Sequence, residues 1–193
     1  IKVLHPHLAR DAQCRGRFAR EARAAARLRH PNIVEVYEFS DEADDQSYMV
    51  TELLEGPTLR RFAETHTTPC AEVVAAIGVV LCDALAHAHK QGVIHRDVKP
   101  DNLFLVEGAG VRVKVLDFGV AKALYGGPSA PKITRAGHVM GTPTYMSPEH
   151  ARGDVDLDAR ADLYSLGMIL YETLAGRLPF SATTPTTVLV EIQ

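Results

Sequence analysis

Cysteine is scarce: Cys14, Cys70 and Cys82 are the only three in 193 residues, odd in number, far apart and in no Cys-x-x-Cys pair. That argues against a disulfide framework or a cysteine zinc site and fits a chain kept in a reducing cytosol. Charge of one sign is lacking too. A formal net charge of −3 and a pI near 6.3 give no overall pull toward nucleic acid or an anionic membrane. The most apolar run, Val73 to Cys82, is too short to span a bilayer and is closed by Asp83. Internal repeats and low-complexity tracts are absent, and no secretory leader is expected. Ile1-Lys2-Val3-Leu4 reads as mid-strand, and Val188 to Gln193 carries no stop signal, so the sequence is expected to be a piece cut at both ends.

What is present suits one or two compact domains, since 46% of the residues are apolar. His5-Pro6 breaks the first strand. Asp11 to Arg29 predicts an exposed basic helix with Phe18, Ala22, Ala25 and Leu28 on one side. Ile33 to Phe39 and Tyr48 to Leu53 read as strands around the acidic turn Asp41 to Asp45, and Glu55-Gly56-Pro57 is a breaker where a domain boundary is placed. Thr58 predicts a cap for a short helix through Glu64. Glu72 to Gln91 predicts a helix burying Val73, Ile77, Val80, Leu81, Ala84, Leu85 and Ala88, stopped by Gly92. Its His87 and His89 read as surface residues. Val93-Ile94 reads as a two-residue strand. Leu103 to Val106 and Val111 to Leu116 form a hairpin around Gly108-Ala109-Gly110. Residues 120–147 form a long loop of the kind that is usually functional. Asp158 to Leu174 is a second apolar helix, ended by Gly176 and Pro179.

The chemistry concentrates between His95 and Gly119. Asp97, Lys99 and Asn102 set a carboxylate, an ammonium and a carboxamide at spacings of two and three residues, and Asp117 follows in front of Phe118-Gly119. Such a set can orient a hydroxyl, neutralise phosphate charge and hold a divalent cation through oxygen. Each residue alone is also ordinary turn chemistry, because Asp and Asn favour turns through local hydrogen bonds. The combination favours a site.

The run His95-Arg96-Asp97-Val98-Lys99-Pro100-Asp101-Asn102 resembles the catalytic loop of protein kinases, and Asp117-Phe118-Gly119 their metal-binding motif. Gly141-Thr142-Pro143-Thr144-Tyr145-Met146-Ser147-Pro148-Glu149 resembles the end of their activation loop, and with Ala151-Arg152-Gly153 is most similar to eukaryotic-like serine/threonine kinases of bacteria. The resemblance covers essentially the whole chain. It implies an α+β, two-lobe fold: a small β-rich lobe at 1–56 and a mainly helical lobe at 57–193. It also implies ATP with Mg²⁺ (or Mn²⁺) as cofactors, and proteins bearing Ser or Thr as substrates.

By that resemblance Asp97 orients the attacking hydroxyl, Lys99 offsets charge on the transferred phosphoryl, and Asn102 and Asp117 hold the metal. Lys2 resembles the strand lysine that binds the α- and β-phosphates, and Glu21 the helix glutamate that pairs with it. The resemblance places adenine at the main chain of Glu52 and Leu54, with Thr51 guarding the rear of the pocket and Phe104 its floor. Lys99 and Thr142 match the Ser/Thr-directed form. Arg96, Arg17 and Lys122 match a basic pocket for a phosphorylated activation loop, with Thr134 as the first candidate phosphosite, ahead of Thr142 and Thr144. Arg17 and Lys122 also read as ordinary solvated charges. Asp162 matches a buried aspartate that anchors the catalytic loop, because a buried charge needs partners. Glu149 matches a glutamate whose arginine partner lies later in the family's fold.

Two departures stand out. The glycine-rich loop over the nucleotide phosphates is not in this sequence, and Ala25 occupies a place usually held by a larger apolar residue. Transfer by this stretch alone is therefore expected to be weak. Two other classes stay open: a non-catalytic kinase-like binding module, which usually loses the counterparts of Lys2, Asp97 or Asp117, and a small-molecule phosphotransferase, which lacks the segment 141–149. Homodimerisation for activation, a cytoplasmic location and no nucleic-acid partner complete the expectations.

Overall fold

A computed structural model describes residues 1–41, 44, 46–65, 69–106, 112–118, 143–154, 156–180 and 184–192. Lys122, Thr134, Thr142 and the turn Gly108-Ala109-Gly110 lie outside these residues. The first sheet has three antiparallel strands in the order β1-β3-β2: β1 (Lys2–Val3), β2 (Val36–Phe39) and β3 (Tyr48–Thr51). Lys2 stands opposite Met49, and the β2–β3 register shifts between Val36 and Glu38. Ile33, expected at the start of β2, instead makes an isolated parallel bridge to Val115.

Pro6 does more than break a strand. It opens the short helix α1 (Pro6–Ala9), where a missing N–H costs nothing. Helix α2 (Ala12–Ala25) starts at Asp11, whose carboxylate caps the Gln13 N–H at 2.8 Å. It ends four residues before Arg29, and it is not simply exposed. Cys14, Phe18, Ala19, Ala22 and Ala25 are buried, while arginines occupy its outer side.

Helix α3 (Leu59–Thr65) is capped by the Thr58 hydroxyl, which accepts from the Arg61 N–H at 3.2 Å. Helix α4 (Ala71–Lys90) is the central element. By length and composition it is long and apolar enough to cross a membrane, longer than the run to Cys82 suggested. Here its inner face packs on α6 (Ala159–Ala175) within the main core. Leu81, Leu85 and Ile169 are at most 1% exposed, each burial contributing about 1.5–3 kcal/mol. The buried stripe includes Val74 and Gly78, whereas Val73 and Val80 are only half-buried. At Gly78 a Cβ would stand 3.2 Å from Leu170 Cδ1, so the glycine lets the two helices approach closely.

Val93-Ile94 is not a strand; it enters the loop irregularly. The hairpin is present as β4 (Leu103–Leu105) paired with β5 (Val113–Val115), Phe104 opposite Lys114. A 3₁₀ turn, Pro100–Asn102, precedes it, and a second, Pro143–Tyr145, leads into α5 (Pro148–Arg152). Helix α6 is capped by Asp158 and ends at Gly176; α7 (Pro185–Ile192) packs on α5.

Candidate active site

The loop between α4 and β4 is held from beneath by Asp162. This carboxylate, fully buried on α6, accepts the main-chain N–H of His95 (2.8 Å, Oδ2) and of Arg96 (2.8 Å, Oδ1). It also meets the His89 ring at 2.7 Å. His89 is thus no surface histidine: its side chain is 16% exposed and serves the same carboxylate. The anchoring supports a backbone outlier. Arg96 has φ of +66° and Asp117 of +62°, the only non-glycine residues with positive φ among those described. Strain of about 1–3 kcal/mol per residue persists only where surroundings impose it, and both positions flank the expected chemistry.

His95 ties the two motifs together. Its Nε2 donates to the Leu116 carbonyl at 2.7 Å, so Nδ1 is the acceptor and takes the Asp97 N–H at 3.2 Å. Its ring tilts over Phe118, centroids 4.7 Å apart. The Leu116 N–H in turn donates to the Asn102 carbonyl at 2.8 Å, which lays the strand before Asp117 beside the loop.

Asp97 lies at the centre of the loop. Lys99 Nζ donates to its Oδ2 at 2.7 Å, and the Asn102 carboxamide donates to both its carbonyl (2.9 Å) and Oδ2 (3.1 Å). Asp97 and Lys99 stay about a third and a quarter exposed, at 30% and 26%, open enough to meet a substrate. With its NH₂ engaged, Asn102 presents its oxygen as the group left for a cation. Asp117 supplies a carboxylate two residues beyond β5. This all-oxygen pair fits Mg²⁺, which takes one or two protein ligands and fills the rest with phosphate and water. Among the described residues no three His, Cys, Asp or Glu side chains gather into a metal cage, and such a site does not need one.

Lys2 pairs with the Asp117 carboxylate, where the resemblance implied Glu21. Glu21 itself is half-buried on α2. Arg17, on the same helix, donates to Gln13 at 3.4 Å. Thr51 ends β3. Glu52 is held by more than its main chain: its carboxylate accepts the Glu35 N–H at 2.8 Å and the Lys114 ammonium at 2.5 Å, and its own N–H donates to the Glu35 carbonyl at 2.9 Å. Leu53 points to solvent at 89% exposure, while Leu54 and Phe104 are half-buried. Glu149 is half-buried on α5, and its charge is felt by His150 and Arg160.

Sequence reasoning missed Lys114, His89 and a cluster of Arg60, Tyr145 and Glu172. Lys114 had a visible signal, being the one charge inside the apolar run Val113 to Leu116. Glu172 had the signal that exposed Asp162, an acid on an apolar helix.

Residues 1 to 192 match the protein kinase domain family. A polar loop anchored by a buried aspartate, beside a strand followed two residues on by a second carboxylate, is the arrangement of that family, and the chain belongs to it. Among curated relatives it is 44% identical over 191 residues to "Serine/threonine-protein kinase PknB" of Mycobacterium leprae, covering 97% of this chain and 30% of that protein. It is 44% identical over 186 residues to "Serine/threonine-protein kinase pkn3" of Myxococcus xanthus, covering 94% and 34%. The chain thus spans about a third of the length of these relatives. Among solved structures, the PknI kinase domain of Mycobacterium tuberculosis matches with a TM-score of 0.70 at 31% identity, over 95% of this chain and 67% of that one. The fold is the α+β protein-kinase fold.

Proposed function

We propose that the protein transfers the γ-phosphoryl group of ATP to Ser or Thr hydroxyls of proteins, and that in full length it phosphorylates itself. The observation that carries this reading is Asp97, partly open to solvent, with Lys99 and Asn102 both bonded to its carboxylate. Asp97 is positioned to take up the hydroxyl proton, and Lys99 to offset charge growing on the phosphoryl oxygens. Lys2 and the Glu52–Leu54 main chain would bind the nucleotide, with Asn102 and Asp117 holding Mg²⁺ or Mn²⁺; the ion would neutralise phosphate charge. Sequence identity to proteins named as serine/threonine kinases supports the acceptor class. Three free cysteines fit a cytoplasmic setting, and pairing of two copies for activation belongs to the same reading.

The test uses the full-length protein with labelled ATP and Mg²⁺, beside Asp97→Asn. The expected result is label on Ser or Thr that falls about 10²–10⁴-fold in the variant. Nucleotide binding without any Asp97-dependent label would establish the non-catalytic module instead.

A further inference from the structure

Three separate stretches of chain converge on the guanidinium of Arg60, on α3. Nη1 donates to Glu172 Oε1 on α6 at 3.2 Å, and Nη2 to the Tyr145 hydroxyl at 2.5 Å. Nε lies 3.7 Å from Asp101 Oδ2, in the turn between Lys99 and Asn102. The Tyr145 hydroxyl accepts from Arg60 and donates to Glu172 Oε2 at 2.5 Å, and the guanidinium carbon stands 5.7 Å from the Tyr145 ring centroid. Burial and the bond to Glu172 hold the Tyr145 hydroxyl well above the ordinary tyrosine range, so it remains a donor. The Tyr145 carbonyl is fixed as well, accepting from Ser165 Oγ at 2.7 Å.

One of these partners, Tyr145, lines the site, and a second, Asp101, belongs to the loop that forms its other side. Arg96, Asp97 and Lys99 on one side, with Tyr145 and Met146 on the other, line a small cleft at the reacting carboxylate. Arg60 holds Tyr145 in one wall and pairs with Asp101, two residues beyond Lys99 in the loop that forms the other, and ties both to Glu172 on α6. Without the cation, Asp101 and Glu172 would lose their shared counter-ion, and the loop would lose its charged tie to α3. The nucleotide-side residues Lys2, Glu52 and Asp117 find their partners elsewhere.

We infer that Arg60 is a positioning residue for the acceptor side of the phosphoryl-transfer site, fixing the catalytic loop and the 143–145 turn against each other without touching either substrate. This inference rests on the kinase reading above.

Steady-state kinetics of the full-length protein, with ATP and casein as the acceptor probe, test it. Arg60→Met should lower kcat/KM for the acceptor about tenfold, the loss expected for one charge-assisted hydrogen bond, and leave the KM for ATP within about twofold. Arg60→Lys should recover only part, because one ammonium cannot reach three acceptors in a planar fork. Asp101→Asn, at a half-exposed position, removes the loop contact alone. It should give an intermediate loss, and the double variant should be no worse than Arg60→Met. Wild-type acceptor kinetics in Arg60→Met, a KM for ATP rising in step, or additive losses would overturn the inference. Should Arg60→Met fail to fold, Asp101→Asn and Tyr145→Phe take its place: non-additive losses support the clamp and additive ones refute it. Absence of Asp97-dependent label in the wild type is a different result, and it removes the kinase reading itself.

Discussion

The His89 ring and the Asp162 carboxylate meet at 2.7 Å, and the same carboxylate carries the backbone of His95 and Arg96 at 2.8 Å each. One fully buried charge thus has three donors drawn from two different segments. A carboxylate this deep is tolerable only when its lone pairs are met. Its return is a fixed Arg96 backbone at φ +66°, from which Asp97 is launched toward the cleft.

Asp162→Ala should therefore cost about 3–5 kcal/mol, because it leaves two main-chain N–H groups and the His89 N–H buried without an acceptor. Asp162→Asn keeps one acceptor oxygen and should cost less. His89→Leu removes one donor of three and should cost about 1–2 kcal/mol. Urea unfolding ranks the three variants. A His89 variant as damaging as Asp162→Ala would mean that the carboxylate serves the histidine and not the loop.

Gly56 offers a sharper test of how the linker between β3 and α3 sits on the hairpin. Its φ is +133°, and a Cβ built there would lie 2.0 Å from the Leu105 carbonyl oxygen. That oxygen is backbone and cannot swing aside, and the Leu105 N–H is itself tied to the Pro57 carbonyl at 2.9 Å. Gly56→Ala must shift one strand or the other, and should destabilise by at least about 1–3 kcal/mol. An alanine variant that unfolds at the wild-type urea midpoint would contradict the close approach.

The loop from His95 to Asp117 was legible because its polar groups sit within a few residues of one another, and α4 and α6 because apolar residues recur at helical spacing. Contacts between distant residues left no such trace. Lys2 and Asp117 are 115 positions apart, Arg60 and Glu172 are 112, and His89 and Asp162 are 73. Periodicity reports which face of an element is apolar, but not which element will cover it. That is why His89 read as surface. The boundaries of α2 failed for a local reason: Ala26 to Arg29 favour helix by composition, yet the chain must turn there to bury Leu28.

His150 makes stability depend on pH in a direction that can be worked out. It is half-buried on α5, and its pKa is held below the ordinary 6.5, first by burial. Arg96 pushes the same way, while Asp97, Glu149 and Asp162 oppose the shift without reversing it. Well above pH 6.5 the ring is neutral in both folded and unfolded chains, and it has no effect on the balance between them. As pH falls through 6.5, the unfolded chain takes up a proton that the folded chain refuses, so the unfolded state gains. The loss of stability continues until pH passes below the folded pKa, and then levels off. Urea midpoints measured between about pH 7.5 and 5 should fall in the wild type, and His150→Gln should flatten that part of the decline. If the variant keeps the full wild-type slope across this window, the protons responsible bind elsewhere, and His150 is not held neutral beside Asp97 and Arg96.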